Sequence, residues 1–279
     1  MSMMNVCKME ELASIARIKM IETGYHSKYA VHYGGGLSSV EILLYLYFEE
    51  MHYDLDRRDW IDRDRFFLSK GHGVLSYYVA LQMAGFFGEE KLHTFQLDEC
   101  DLSSHPVKNL ALGIESSNGS LGQGLSLAVG NQIIAEKTGR KYRNFVLLGD
   151  GECDEGSVWE AAMCASHYHL DHLMVIVDHN GLQSDGSNET VMSLGDLEGK
   201  WKAFGWETWT LDSNNFEQID SAFSRVDWNN GKPKVIIGNT TKGKGISFME
   251  NNNEWHHRQM TEEEYLKAIE ELRNHRYGY

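Results

Sequence analysis

Short, unbroken apolar runs separated by helix-length segments constrain this chain more than any other feature. Arg65-Phe66-Phe67-Leu68-Ser69, Asn144-Phe145-Val146-Leu147-Leu148 and His172-Leu173-Met174-Val175-Ile176-Val177 are apolar almost throughout, and further strands are expected at 207–211 and 234–239. A strand with one wet face alternates apolar and polar residues, whereas a strand covered on both faces does not. Helices are expected between the runs, at 74–84, 122–137, 156–168, 194–204, 215–225 and 262–274. An amphipathic helix over 8–25, with Leu12, Ile15 and Ile18 on its apolar stripe, leads in. A Gly-rich turn at His32–Gly36 and a buried helix over 38–50 follow, and 86–120 reads mostly as loop. This alternation predicts an α/β fold, a parallel central sheet flanked by helices. No repeat, low-complexity tract or linker interrupts it, so one domain is expected over 1–279.

In such sheets ligands bind outside the carboxyl ends of the strands. Those ends carry Ser69-Lys70-Gly71-His72, Gly149-Asp150-Gly151, Asp178-His179-Asn180 and the stretch from Asn239 to Gly245. Asp150 and Asn180 offer hard oxygens on successive strand ends. Magnesium takes few oxygens from protein and the rest from phosphate and water. The glycines admit a phosphate close to the backbone, and the following helix N-terminus favours an anion. Alone, Gly-Asp-Gly reads as a turn and Asn180 as a left-handed cap; together, at the ends of apolar strands, they read as a metal–diphosphate site.

Composition narrows the partners. The net charge of −15 argues against a nucleic-acid or anionic-membrane partner. No apolar run approaches the roughly 20 residues of a membrane span. The first twenty residues lack a signal-peptide core, and Cys7, Cys100, Cys153 and Cys164 lack metal-type or disulfide-framework spacing, so a cytoplasmic location is expected.

These motifs resemble the transketolase family. Gly149-Asp150-Gly151 followed by Asp178-His179-Asn180 is similar to the thiamine diphosphate motif, and Gly149 through Gly156 looks like its transketolase version. The resemblance extends to Leu68–Gly73, to Gly119-Ser120-Leu121-Gly122-Gln123-Gly124, and to Lys242-Gly243-Lys244-Gly245 with Trp255-His256. It implies the thiamine diphosphate-binding fold. It also implies thiamine diphosphate held through Mg2+, with Ca2+ or Mn2+ as substitutes, on Asp150, Asn180 and the Leu182 carbonyl. The backbone of Gly151 and Glu152 would meet the diphosphate, and Gly119 and Leu121 would pack on the aminopyrimidine. His32, His72, His105 and His256 would line a funnel over the thiazolium, with His72 and His256 also reaching the diphosphate. Imidazole suits that place because it donates or accepts protons near neutral pH. Lys242 and Lys244 are candidate diphosphate contacts or solvated loop lysines. Glu155 and Glu160 would face a matching subunit or serve as ordinary capping and surface acids.

The chain departs from the family pattern at five places. Val31 and Tyr33 replace glycine and proline around His32, which is expected to move His32 or narrow the funnel. Ser120 replaces another proline, Ser184 a branched apolar residue, and His257 a glycine; of the adjacent His256 and His257, His256 is favoured as the functional histidine. In full-length transketolases the glutamate that activates the cofactor lies in a second domain, beyond the point reached here at Tyr279. The resemblance therefore implies the N-terminal subunit of a split enzyme, inactive alone and joined in an α2β2 assembly to a separate C-terminal subunit. The expected reaction moves a two-carbon ketol unit from a ketose, expected as its phosphate, to an aldose. Rival readings are the α subunit of a 2-oxo-acid decarboxylase or dehydrogenase, a deoxyxylulose-phosphate synthase-like chain, and a non-catalytic scaffold subunit. A nucleotide-binding domain is weaker, since no G-x-G-x-x-G follows the first strand.

Overall fold

The computed structural model describes residues 3–277. Within them, one parallel sheet contains β1 (Arg65–Leu68), β2 (Asn144–Gly149), β3 (Leu173–His179), β4 (Glu207–Asp212) and β5 (Lys234–Asn239), in spatial order β1-β2-β3-β5-β4. The helices, in chain order, are α1 (Met3–Tyr25), α2 (Gly34–Leu37), α3 (Val40–Tyr45), α4 (Val74–Met83), α5 (Glu89–Leu92), α6 (Gln123–Lys137), α7 (Gly156–His167), α8 (Asn188–Val191), α9 (Leu197–Ala203), α10 (Phe216–Phe223) and α11 (Glu262–Tyr277).

The apolar runs are unbroken because each strand feeds two cores. Phe145 and Leu147 of β2, with Met174 and Ile176 of β3, join α1, α3, α4, α10 and α11 on one face. Val146, Leu148, Val175 and Val177 join α6, α7 and α9 on the other. Edge strand β4 is only half-buried, as its Glu-Thr-Trp-Thr alternation requires. Local signals set the helix starts. The side chains of Ser187, Asp196 and Asn215 accept the backbone N–H of Thr190, Gly199 and Gln218. Before α11, Thr261 and Glu264 exchange hydrogen bonds in a capping box.

Three local expectations are corrected. The deepest stripe of α1 is Met9, Ala13, Ala16 and Met20, while Leu12, Ile15 and Ile18 lie half-buried on its flank. The two alanines let neighbouring helices approach where larger residues would hold them off. The expected helix over 38–50 divides into α3 and a π-type stretch at Leu46–Glu50. Gly34 to Leu37, in the expected Gly-rich turn, is itself a helical turn.

Candidate active site

The register levels the strand ends. Gly149 stands beside Asp178, and Asp178 beside Gly238, so the loops after β2, β3 and β5 leave the sheet side by side. A cavity of about 160 Å3 opens there. It is lined by Lys70 and His72 after β1, Gly149 to Glu152 after β2, Asn180 and Leu182 to Ser184 after β3, and Lys242 and His256 after β5, with Gly35 and Leu121 at its sides. Sites that enclose a whole drug-sized ligand measure roughly 300–1,000 Å3. This one is sized for one end of a ligand. Larger cavities of about 390 and 640 Å3 lie elsewhere and lack such a convergence of strand ends.

Asp150 is 2% exposed. Its carboxylate accepts from Gly151 N (2.8 Å), Gly181 N (2.6 Å) and Asn188 Nδ2 (2.9 Å). Burial, and then the nearby Asp178, push its pKa up despite these bonds. A buried carboxylate with three neutral donors suits a bound cation. Asn180 Oδ1 accepts from Leu182 N at 3.1 Å, and its Nδ2 donates to Asp178 at 3.1 Å. The Leu182 carbonyl accepts from Lys242 Nζ at 3.1 Å and keeps a second lone pair. Asp150, Asn180 and Leu182 thus stand on one wall, an all-oxygen set that fits magnesium.

Beneath them, Lys70 is 1% exposed and fully engaged. Its Nζ donates to Gly35 O (2.7 Å), Ser39 Oγ (3.1 Å) and the Asp178 carboxylate. Asp178 also accepts from Ser38 and Thr240. Burial alone would raise Asp178; Lys70 and these hydrogen bonds outweigh it and hold the carboxyl below its usual range. Glu152 is a second tie, accepting Ser69 Oγ (2.5 Å), Gly122 N (2.8 Å) and Gly149 N (3.1 Å). A Cβ on Gly151 would lie 2.8 Å from Gln183 Cγ, so a larger residue there would have to displace the Gln183 side chain.

The histidines form a continuous cluster. The ring of His32 lies 5.7 Å from His72, 5.7 Å from His105 and 5.3 Å from His256, and His72 lies 5.4 Å from His256. Burial, then neighbouring cationic groups, lower all four. His32 falls to about 3 and His256 to about 4, with His72 well below its ordinary value and His105 lowered. Near pH 7 each is a neutral imidazole that donates at one nitrogen and accepts at the other. His256 Nδ1 is buried and has no hydrogen-bond partner among the described residues. His257 is exposed and does not line the cavity, so the cavity takes His256 of the two.

Other candidates sit farther out. Gly119 lies against His105, where a Cβ would come within 3.6 Å of the ring. Lys242 lines the cavity, but its ammonium is taken by the carbonyls of Leu182 and Gln183 and by Asn253; burial, then Lys70, lower it to about 8. Lys244 lies outside the cavity lining, and its carbonyl accepts from Arg17 at 2.9 Å. Glu155, the N-terminal flank of α7, and Glu160 are exposed away from the cavity. Tyr33 does not narrow the funnel: it is fully buried against Trp255 and Gly24. Lys70, Gln183 and Asn188 join the site beyond the sequence candidates. Of these, Lys70 alone has a signal in the sequence, its place in the Ser69–His72 strand end.

Residues 10–279 match the family described as "Transketolase, thiamine diphosphate binding domain". The chain belongs to the transketolase family. It is 42% identical to a subunit of the apulose-4-phosphate transketolase from Phocaeicola vulgatus, over 92% of this chain and 90% of that one. It is also 42% identical to the 6-deoxy-6-sulfo-D-fructose transketolase subunit SqwG of a Clostridium species, over 86% and 88%. The transketolase structure from Leishmania mexicana superposes with a TM-score of 0.84 at 27% identity, covering 98% of this chain and 44% of that one. The chain thus spans less than half the length of that solved transketolase, and nearly the whole length of the relatives named as subunits. The parallel sheet flanked by helices is the transketolase fold.

Proposed function

We propose that this chain is the N-terminal subunit of a split transketolase, binding thiamine diphosphate through Mg2+ and acting in an α2β2 assembly with a separate C-terminal subunit. The carrying observation is the convergence of Asp150, Asn180 and the Leu182 carbonyl on one cavity, with His72 and His256 on the same walls. In this reading the three oxygens hold the metal, and the N–H groups of Gly151 and Glu152 meet the diphosphate. Leu121 and Gly119 flank the aminopyrimidine. When bound, the cofactor supplies a thiazolium carbon that serves as an electron sink.

The chain's own residues bind and orient the sugars. Neutral His32, His72, His105 and His256 hydrogen-bond hydroxyls and carbonyl, each donating at one ring nitrogen and accepting at the other. A ketose donor, such as a sugar phosphate, passes its two-carbon ketol unit to an aldose. Subunit names borne by similar chains support the split arrangement. The four-histidine set favours ketol transfer over 2-oxo-acid decarboxylation. The acidic charge and four free cysteines agree with a cytoplasmic protein.

The test is reconstitution. The chain and its C-terminal partner, mixed with thiamine diphosphate and Mg2+, are assayed for ketol transfer across a panel of free and phosphorylated ketoses. Activity is expected only from the mixture. Ketol transfer by this chain alone would sink partner dependence, pyruvate decarboxylation would favour the dehydrogenase reading, and absence of cofactor binding by calorimetry would favour a scaffold.

A further inference from the structure

Val31 and Arg258 form an antiparallel bridge and exchange both backbone hydrogen bonds, at 3.1 and 3.2 Å. In such a ladder the next residues are directly opposed without hydrogen bonds, and their side chains approach more closely. Those residues are His32 and His257. Their rings are stacked, with centroids 4.1 Å apart and planes 23° apart. His105 and His256 meet His32 edge-on instead, at 77° and 87°. One face of the His32 ring is therefore covered by His257 alone among these histidines. Both strands of the bridge are anchored. Tyr33 packs edge-on against buried Trp255, the Arg258 guanidinium lies 4.4 Å from the Trp255 ring, and Arg258 bonds Glu264 at 2.9 Å.

We infer that His257 is a positioning residue. Its ring, set by the Val31–Arg258 bridge, stacks on His32 and holds it in the orientation from which it meets substrate hydroxyls. His257 itself contacts no reacting atom. This rests on the ketol-transfer reading for the word substrate, but the stacking does not. Aromatic rings prefer stacked or edge-on arrangements, so a stacked neighbour selects one ring orientation over others.

The experiment has two arms. In the full chain alone, imidazole NMR follows the His32 ring signals in wild type, His257→Ala and His257→Phe. The alanine variant is expected to shift and broaden them as the ring-current neighbour is lost, and the phenylalanine variant to keep them sharp and displaced. Unchanged signals in His257→Ala would overturn the stacking. In the reconstituted enzyme, His257→Ala is expected to lower kcat about tenfold with little change in KM, since small misplacements of a catalytic group cost up to about a hundredfold. His257→Phe should restore most of it. Equal losses in both variants, carried by KM, would make His257 a substrate contact and overturn the positioning role; so would no loss in either. If the wild-type pair transfers no ketol unit, the functional reading fails, and the NMR arm still decides the stacking.

Discussion

At the scale of single residues, the site is a set of buried polar groups, most of them paired with one another. Asp150 accepts three hydrogen bonds, all from neutral donors. Asp150→Ala is expected to weaken Mg2+-dependent thiamine diphosphate binding at least about a hundredfold while the fold persists; calorimetry with the reconstituted pair reads it. The histidines make a pH prediction. His32 and His256 have folded pKa values near 3 and 4, below the unfolded value of 6.5. Between those limits the unfolded chain binds more protons, so stability rises with pH and is lost as pH falls below about 6.5. Urea midpoints taken from pH 7.5 to 5 should fall, and His32→Asn with His256→Asn should flatten the slope. The motif residues Asp150 and Asn180 are legible in the sequence because their spacing brackets one strand and one helix. Lys70 is legible only by its place at the Ser69–His72 strand end; its role is not, since a lysine in a loop announces nothing about the carboxylate it will meet.

At the scale of elements, two buried side-chain ties add to the backbone ladder at the strand ends. Lys70 joins the end of β1, the α2 turn and the end of β3; Glu152 joins β1, β2 and the start of α6. Removing one partner of a buried ion pair costs about 3–5 kcal/mol. Lys70→Met is therefore expected to lower the melting temperature by roughly 10 °C. Adding Asp178→Asn should recover part of that loss, which calorimetry of both variants checks. Strands and most helices are legible from apolar runs and caps. The α1 stripe is not, because alanine is weakly hydrophobic in a pattern yet is selected by close helix packing.

At the scale of the whole molecule, large apolar side chains of the packed pair α6 and α7 stand exposed. Leu127 and Ile134 of α6 and Met163 of α7 are 47%, 60% and 58% exposed. Glu160, also exposed, belongs to the same α7 helix. Exposed apolar patches mark interaction surfaces. In the proposed α2β2 assembly these side chains are expected to meet a second copy of the chain. Leu127→Glu with Ile134→Glu should reduce the assembly from a 2:2 to a 1:1 complex without lowering the melting temperature of the free chain. Light scattering after size-exclusion chromatography reads the outcome.

The sequence by itself determined the parallel sheet, because only doubly covered strands remain apolar throughout. It also determined the order of the motifs along the chain. Which residues share a cavity was decided by register and by loop return, as where Asn188 folds back to donate to Asp150. The resemblance favoured His256 over His257, but where each ring lies was likewise tertiary. The two are adjacent in sequence and identical in chemistry, and only the bridge to Val31 turns one inward to the cavity and lays the other on His32.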